Sequence, residues 1–366
     1  MGLPDIVIEF SKKAVVASQL GALGIVGIIL KDDKNGGAMM LRGVEDIPTG
    51  DSAFTEANTA YIKRAFIGAP SKVIVYTLPK DAEDYSEAFK YFSTVKVNYL
   101  CGAPDISSTE ANAFVTWIAG VRKNTVRRPV AVLPNVKADN KAVISFKVVN
   151  ATENDKIEVG DAVFTEAEYC SRIAGLLAGI DPSISSTYKP LSEVTMIPVA
   201  EDAEIDEAVE AGYLTLYNDG ERIVIARGVN SLTTVSAEET EDLKKIKILA
   251  IQDLIETDIY GTINSSYIGN YSNSYDNKCL LITAIKGYLK GLEATEGGKG
   301  YLKAGSSNIE IDIAKQKQYL DSIGVDTSVM DEQAIKEANT GSKVFLKGTI
   351  SILDAIEDVS IFINKE

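Results

Sequence analysis

The chain has 366 residues, with 37 lysines and arginines against 52 aspartates and glutamates, a net charge of −15, and no histidine. So acidic a surface repels phosphate backbones and anionic lipid headgroups, and the missing imidazole removes the usual general base and the commonest metal ligand, which excludes Ser-His-Asp and Cys-His catalysis. The 45% hydrophobic and 24% charged content is that of a folded chain, long enough for two or three domains.

The first element is the run at 5–10, where Ile6, Ile8 and Phe10 alternate with Asp5, Val7 and Glu9. That is a strand with one apolar face, too small to be stable unless it pairs with something. Polar Ser11, Lys12 and Lys13 separate it from an uncharged run at 14–30. Asp5 and Glu9 upstream and three glycines inside the run argue against a signal peptide or membrane helix. A buried hairpin fits better, 25–30 against 38–41 across a turn at 32–37. Asp32-Asp33-Lys34-Asn35-Gly36 in that turn has a misplaced glycine and no closing glutamate for a calcium loop.

From 55 to 185 strands and helices alternate. Strands are expected at 72–78, 97–101 and 129–133, and a helix at 82–92. Ser107 with Glu110 forms a capping box for a helix carrying Ala113, Phe114, Trp117, Ile118 and Val121, and Thr165 with Glu168 forms another. This is an α/β pattern, a parallel sheet flanked by helices. No strand ends in a phosphate-binding glycine loop, and Gly297-Gly298-Lys299-Gly300 lacks the spacing and the hydroxyl residue of a P-loop. Cys101, Cys170 and Cys279 are scattered, odd in number and tied to apolar runs, so they read as buried reduced thiols made in a reducing cytoplasm. No catalytic, cofactor or metal site is expected.

Residues 186–353 read as a second, α+β unit. It opens with a hairpin through Asn218-Asp219-Gly220 and continues with a long helix carrying Ile248, Ile251, Ile255 and Ile259. Helices at 277–292, 310–323 and 332–338 precede a strand at 342–352 with Val344, Leu346, Gly348 and Ile350. After a polar break at 354–358 the chain closes on a further strand, Val359, Ser360, Ile361, Phe362 and Ile363. Chain ends usually fray, so two β-prone ends suggest that something ties them down, either their own chain or the sheet edge of a neighbour. The resulting division is an N-terminal arm at 1–20, an α/β domain at 21–185, an α+β domain at 186–353 and a C-terminal arm at 354–366.

Several strings, in order, resemble the contractile tail sheath proteins of phages and R-type bacteriocins. Ala226-Arg227-Gly228-Val229-Asn230-Ser231-Leu232-Thr233-Thr234 is similar to that family's "RGVNTLTT" segment. The run at 244–258 followed by Tyr267-Ile268-Gly269-Asn270 is similar to its long helix and "YIGK" continuation, and the NSYDNK run at 273–278 to the opening of its next helix. Asp354-Ala355-Ile356-Glu357-Asp358 looks like its "DAMEDI" break. Residues 4–10, Lys13-Ala14 and 24–32 resemble its opening, although the apolar stretch at 19–23 departs from the basic one usual there, and the region from about 90 to 200 matches by architecture alone.

The resemblance implies a homo-oligomer, hexameric rings in a helical sheath around an inner tail tube protein, with baseplate and tail terminator proteins as further partners. Such a sheath is assembled in the bacterial host cytoplasm, and on triggering it shortens and drives the tube through the target envelope. The N-arm residues Ile6, Val7, Ile8, Glu9 and Phe10 and the C-arm residues Val359, Ser360, Ile361, Phe362 and Ile363 would add strands to neighbours. Val344, Leu346, Gly348 and Ile350 would form the acceptor strand, and Ser11, Lys12, Lys13, Asp354 and Glu357 the hinges. Lys244, Lys245 and Lys247 are candidates for touching the tube. Neither nucleic acid nor membrane insertion is expected. The competing readings are a monomeric α/β binding or adhesion module, which would stay monomeric at high concentration, and a histidine-free hydrolase working through paired carboxylates.

Overall fold

The computed structural model describes residues 24–152, 156–236, 239–295 and 300–363. These divide into two compact units, a larger one of residues 24–253 with 354–363 and a smaller one of residues 254–353. Each is described by itself.

The strands of the larger unit are β1 (Ile25–Lys31), β2 (Gly37–Leu41), β3 (Lys72–Leu78), β4 (Tyr99–Cys101), β5 (Val130–Pro134), β6 (Val143–Phe146), β7 (Ile157–Val159), β8 (Ala162–Phe164), β9 (Tyr213–Leu214), β10 (Leu216–Asn218) and β11 (Ile223–Ile225). Its helices are α1 (Glu56–Ile67), α2 (Ser86–Phe92), α3 (Ser108–Asn124), α4 (Glu166–Gly179) and α5 (Asp202–Glu210), followed by the start of α6 (Ile246–Thr262). Seven strands form one sheet in the order β2-β3-β1-β4-β5-β6-β9, parallel except for β2. The α/β reading therefore holds.

The expected hairpin of β1 and β2 does not form. Both strands exist, but β3 lies between them, parallel to β1 (Val26 beside Val73) and antiparallel to β2 (Met39 beside Val75). The burial pattern gives the reason. β1 is buried on both faces along its middle, which suits the centre of a sheet, whereas β2 alternates and suits an edge. Among the described residues no helix is long and apolar enough to cross a membrane.

Side chains from alternate strand positions feed two layers. Val26, Ile28, Val73, Val75, Val132 and Ile144 face α1 and α4. Ile29, Ile74, Leu100, Ala131 and Leu133 face α2 and α3, where they meet Phe92, Phe114 and Ile118. Both expected capping boxes form, at Ser107 with Glu110 and at Thr165 with Glu168. Helix α2 starts later than expected, at Ser86, because the Asp84 carboxylate accepts the Ser86 N–H at 2.9 Å and sets a turn first.

The strand order reverses between β1 and β4, where an open α/β sheet ordinarily opens a crevice for a ligand. Here the chain's own groups occupy it. The Asp32 carboxylate accepts from the Thr55 N–H at 2.9 Å and from the Asn58 amide at 2.8 Å, and the Tyr61 hydroxyl donates to the Gly102 carbonyl at 3.0 Å. Cys101 and Cys170 are buried, and burial pushes the Cys101 thiol up to about 12. Cys279 is half-buried, a departure from the expectation for all three.

The boundary drawn at 185 falls inside the larger unit, since β9 adds to the far edge of the sheet by pairing with β6. The hairpin through Asn218-Asp219-Gly220 forms as β10 and β11, with Gly220 at φ 93° and the Asp219 carboxylate accepting from the Glu221 and Arg222 N–H groups at 2.9 and 2.8 Å.

The smaller unit takes the end of α6, then α7 (Tyr275–Leu292), β12 (Asn308–Ile311), α8 (Ile313–Ser322), α9 (Glu332–Glu337) and β13 (Leu346–Thr349). The helix expected from 310 begins instead at Ile313, where the Asp312 carboxylate caps it by accepting the Lys315 N–H at 3.0 Å. Residues Asn308–Ile311 are strand, because they pair antiparallel with β13. The strand expected over 342–352 is confined to 346–349.

Candidate assembly site

The N-arm residues Ile6, Val7, Ile8, Glu9 and Phe10, and Ser11, Lys12 and Lys13 after them, lie outside the described residues. Lys299 and the two glycines before it do as well.

The C-terminal segment is described and carries no regular secondary structure over 359–363, where a strand was expected. A strand has no backbone partners until it meets a second edge. Val359, Ile361, Phe362 and Ile363 are 69%, 75%, 88% and 82% exposed, so four β-prone apolar side chains project into water together.

Of the residues expected to form the acceptor strand, Leu346 and Gly348 stand on β13. Among the described residues β13 has β12 as its one strand partner. Ile309 faces Gly348 and Ile311 faces Leu346 in the register. The Asp312 N–H donates to the Phe345 carbonyl at 2.9 Å, which makes that pair hydrogen-bonded. Hydrogen-bonded and non-hydrogen-bonded pairs alternate in an antiparallel ladder, so the backbone N–H and C=O groups of Leu346 and Gly348 point away from β12. Val344 and Ile350 flank the strand and are exposed.

Asp354 and Glu357 are not the free polar break the sequence pattern implies. Asp354 pairs with Lys245. One oxygen of Glu357 accepts from the Ser185 hydroxyl at 2.7 Å and the Thr187 hydroxyl at 2.8 Å, and the other lies 3.9 Å from the Lys245 ammonium. Asp358 pairs with Arg227. Burial alone would lower the Lys245 ammonium, but hydrogen bonding and charge from Asp354, with charge from Glu357, raise it above the ordinary lysine value.

The three lysines expected at the tube differ in their surroundings within the chain. Lys245 is engaged by the terminal segment, Lys247 is buried, and Lys244 pairs with Glu241 at 2.8 Å. Sequence reasoning missed Ser185, Thr187 and Arg227. Their only signal was local, Arg227 and Asp358 each sitting in one of the strings that carry the resemblance, and nothing in the spacing links positions 131 residues apart.

Among the described residues, β13 has a sheet edge with no further strand and the segment at 359–363 is exposed without strand pairing, features that suit a structural subunit. Comparison with known proteins gives the class a family. Residues 80–231 match the phage tail sheath protein central domain. Over 368 aligned residues the chain is 40% identical to the tail sheath protein of Clostridium phage phiCD119, covering 98% of both. It is 26% identical over 193 residues to the uncharacterized protein YqbK of Bacillus subtilis, covering 50% of this chain and 40% of that one. In fold it is similar to the sheath tail protein Lin1278 of Listeria innocua, with a TM-score of 0.69 at 13% identity, covering 94% of this chain and 100% of that one. A chain of the anti-feeding prophage baseplate gives a TM-score of 0.66 at 13% identity, covering 94% of both. The chain belongs to the phage tail sheath family.

Proposed function

We propose that copies of this chain join into a helical sheath of hexameric rings by strand addition, with the C-terminal residues Val359, Ser360, Ile361, Phe362 and Ile363 of one copy lying along the outward edge of β13 in another. The N-terminal residues Ile6, Val7, Ile8, Glu9 and Phe10 do the same from the other end, with Ser11, Lys12 and Lys13 as their hinge. The role is structural: the sheath surrounds an inner tail tube, meets a baseplate and a terminator, and contracts to drive the tube through an envelope. Of the three lysines, Lys244 is the one retained as a tube contact. Assembly takes place in the host cytoplasm.

The observation that carries this reading is the edge at Leu346 and Gly348, which among the described residues has no further strand beside it, matched by an exposed apolar segment at the C-terminus. Each backbone hydrogen bond gained contributes about 0.5–1.5 kcal/mol and each buried aliphatic side chain about 1.5–3 kcal/mol. A few of each, repeated over many copies, hold a mesh together through a large rearrangement. Negative-stain microscopy of the purified chain tests it. Hollow striated cylinders are expected, and removal of residues 359–366 is expected to leave monomers or short rings; long normal cylinders from the truncated chain would overturn the reading.

A further inference from the structure

We infer that residues 354–358 form a releasable latch: Lys245, Arg227, Ser185 and Thr187 hold the base of the C-terminal segment closed through its three carboxylates, and the segment bends at Asp354 and Glu357 only when these contacts open. The latch itself stands on the geometry of one chain. Its purpose, fixing the direction in which the arm leaves, rests on the strand-donation reading above.

The receiving side is built as a platform. Ser185 and Thr187 come from the loop after α4, Arg227 follows β11, and Lys245 precedes α6. Backbone contacts lock these stretches together. The Ile246 N–H donates to the Gly228 carbonyl at 3.0 Å, Val229 bridges Lys245, and the Gly228 N–H donates to the Thr187 hydroxyl at 2.9 Å. None of these contacts involves the segment itself.

The segment is bound by polar contacts, with little apolar burial. Ile356 lies in the middle of the latch and is 90% exposed, so closing it removes almost none of that side chain from water. Closure also carries a built-in cost. The Glu357 oxygen facing Lys245 is buried and has no hydrogen-bond partner among the described residues, a penalty that water would relieve on opening. Three carboxylates within five residues repel one another wherever the two cations do not neutralise them. Closed and open states therefore differ by a small, electrostatic margin that salt weakens. A strand zipped onto a neighbour has no such sensitivity, because backbone bonds and buried aliphatics hold it.

Thermolysin, which cuts before large apolar residues, reads the latch in the freshly purified, unpolymerised full chain. The Ser360–Ile361 bond lies beyond the latch and serves as the internal reference; the Ala355–Ile356 bond lies inside it. At low salt the reference bond is cut and the inner bond is spared. Relative to the reference, cutting of the inner bond is expected to rise about five- to ten-fold in 1 M sodium chloride, and likewise in the double variant Lys245→Met with Arg227→Met. The salt arm uses the unsubstituted chain, so misfolding of the variant leaves the test intact. An inner bond cut at low salt as fast as at high salt overturns the latch. Long cylinders from the chain lacking 359–366 would refute strand donation and leave this cleavage ratio unchanged, so the two failures are distinguishable.

Discussion

Gly175 of α4 faces Ala65 of α1 so closely that a Cβ on the glycine would lie 2.0 Å from the Ala65 carbonyl oxygen. The two helices meet backbone to backbone there, reinforced by the Ser171 hydroxyl donating to the Tyr61 carbonyl at 2.7 Å. Gly175→Ala forces them apart and should destabilise the larger unit by about 1–3 kcal/mol or more. Gly120, in α3, has open space around its missing Cβ. Gly120→Ala should therefore be neutral or stabilise by up to about 1 kcal/mol. Thermal unfolding of both variants checks the pair, and equal losses in both would contradict the close crossing.

Arg172 and Glu193 make a second test through pH. The guanidinium donates to the carboxylate at 2.6 and 3.3 Å, and the Tyr169 hydroxyl adds a third bond at 2.7 Å. Burial would raise the Glu193 carboxyl, but the Arg172 and Tyr169 hydrogen bonds and the Arg172 charge hold it below its ordinary value of 4.5. A depressed carboxylate contributes stability that is present above the unfolded pKa and is lost as pH falls through the folded one. Glu193→Gln should cost about 3 kcal/mol near pH 7, because it leaves the guanidinium buried without its counter-charge. Urea unfolding should show that difference shrinking below about pH 4 as the native carboxylate is protonated. A difference constant from pH 7 to 3 would contradict the assignment.

Much of the larger unit was legible because its signals are local. The capping boxes at Ser107 and Thr165 and the turn at Asn218-Asp219-Gly220 satisfy or set their own backbone within a few residues. What failed was non-local. Nothing in the sequence of β1 and β2 records that β3 comes between them, and the strand at Asn308–Ile311 exists because β13 lies beside it. At the candidate site the apolar end at 359–363 was readable from alternation. The latch was not, since Lys245 and Asp354 are 109 residues apart and each looks like an ordinary surface charge.

Lys278 in α7 is a buried amine with no hydrogen-bond partner among the described residues, and desolvation lowers it from its ordinary value of 10.5. A lysine with a lowered folded pKa binds fewer protons in the native state than in the unfolded one. Stability therefore rises with pH through the window between the folded pKa and 10.5, and is fully recovered above it. Lys278→Met keeps the length and removes the charge, so it should raise stability by about 1–3 kcal/mol near neutral pH. It should also flatten the rise on the alkaline side. Unfolding of the variant and the unsubstituted chain between pH 7 and 10 decides the matter, and a loss of stability in the variant would mean that the ammonium is solvated or paired in the folded chain.

The sharpest test of the β13 edge uses proline at two adjacent positions. Register places the Lys347 N–H toward Glu310 of β12 and the Leu346 N–H outward. Proline is tolerated on an edge strand where its missing N–H would have faced solvent, and not where it breaks a ladder bond. Leu346→Pro should thus leave thermal stability within about 1 kcal/mol of the unsubstituted chain while abolishing long cylinders, because an incoming strand loses a donor and meets the ring. Lys347→Pro should do the reverse at the level of the single chain, lowering stability by about 3 kcal/mol through the lost ladder bond. Sedimentation and negative-stain microscopy of the Leu346→Pro chain, alongside thermal unfolding of both, separate folding from assembly. Normal cylinders from a stable Leu346→Pro chain would mean that neighbours join along some other surface.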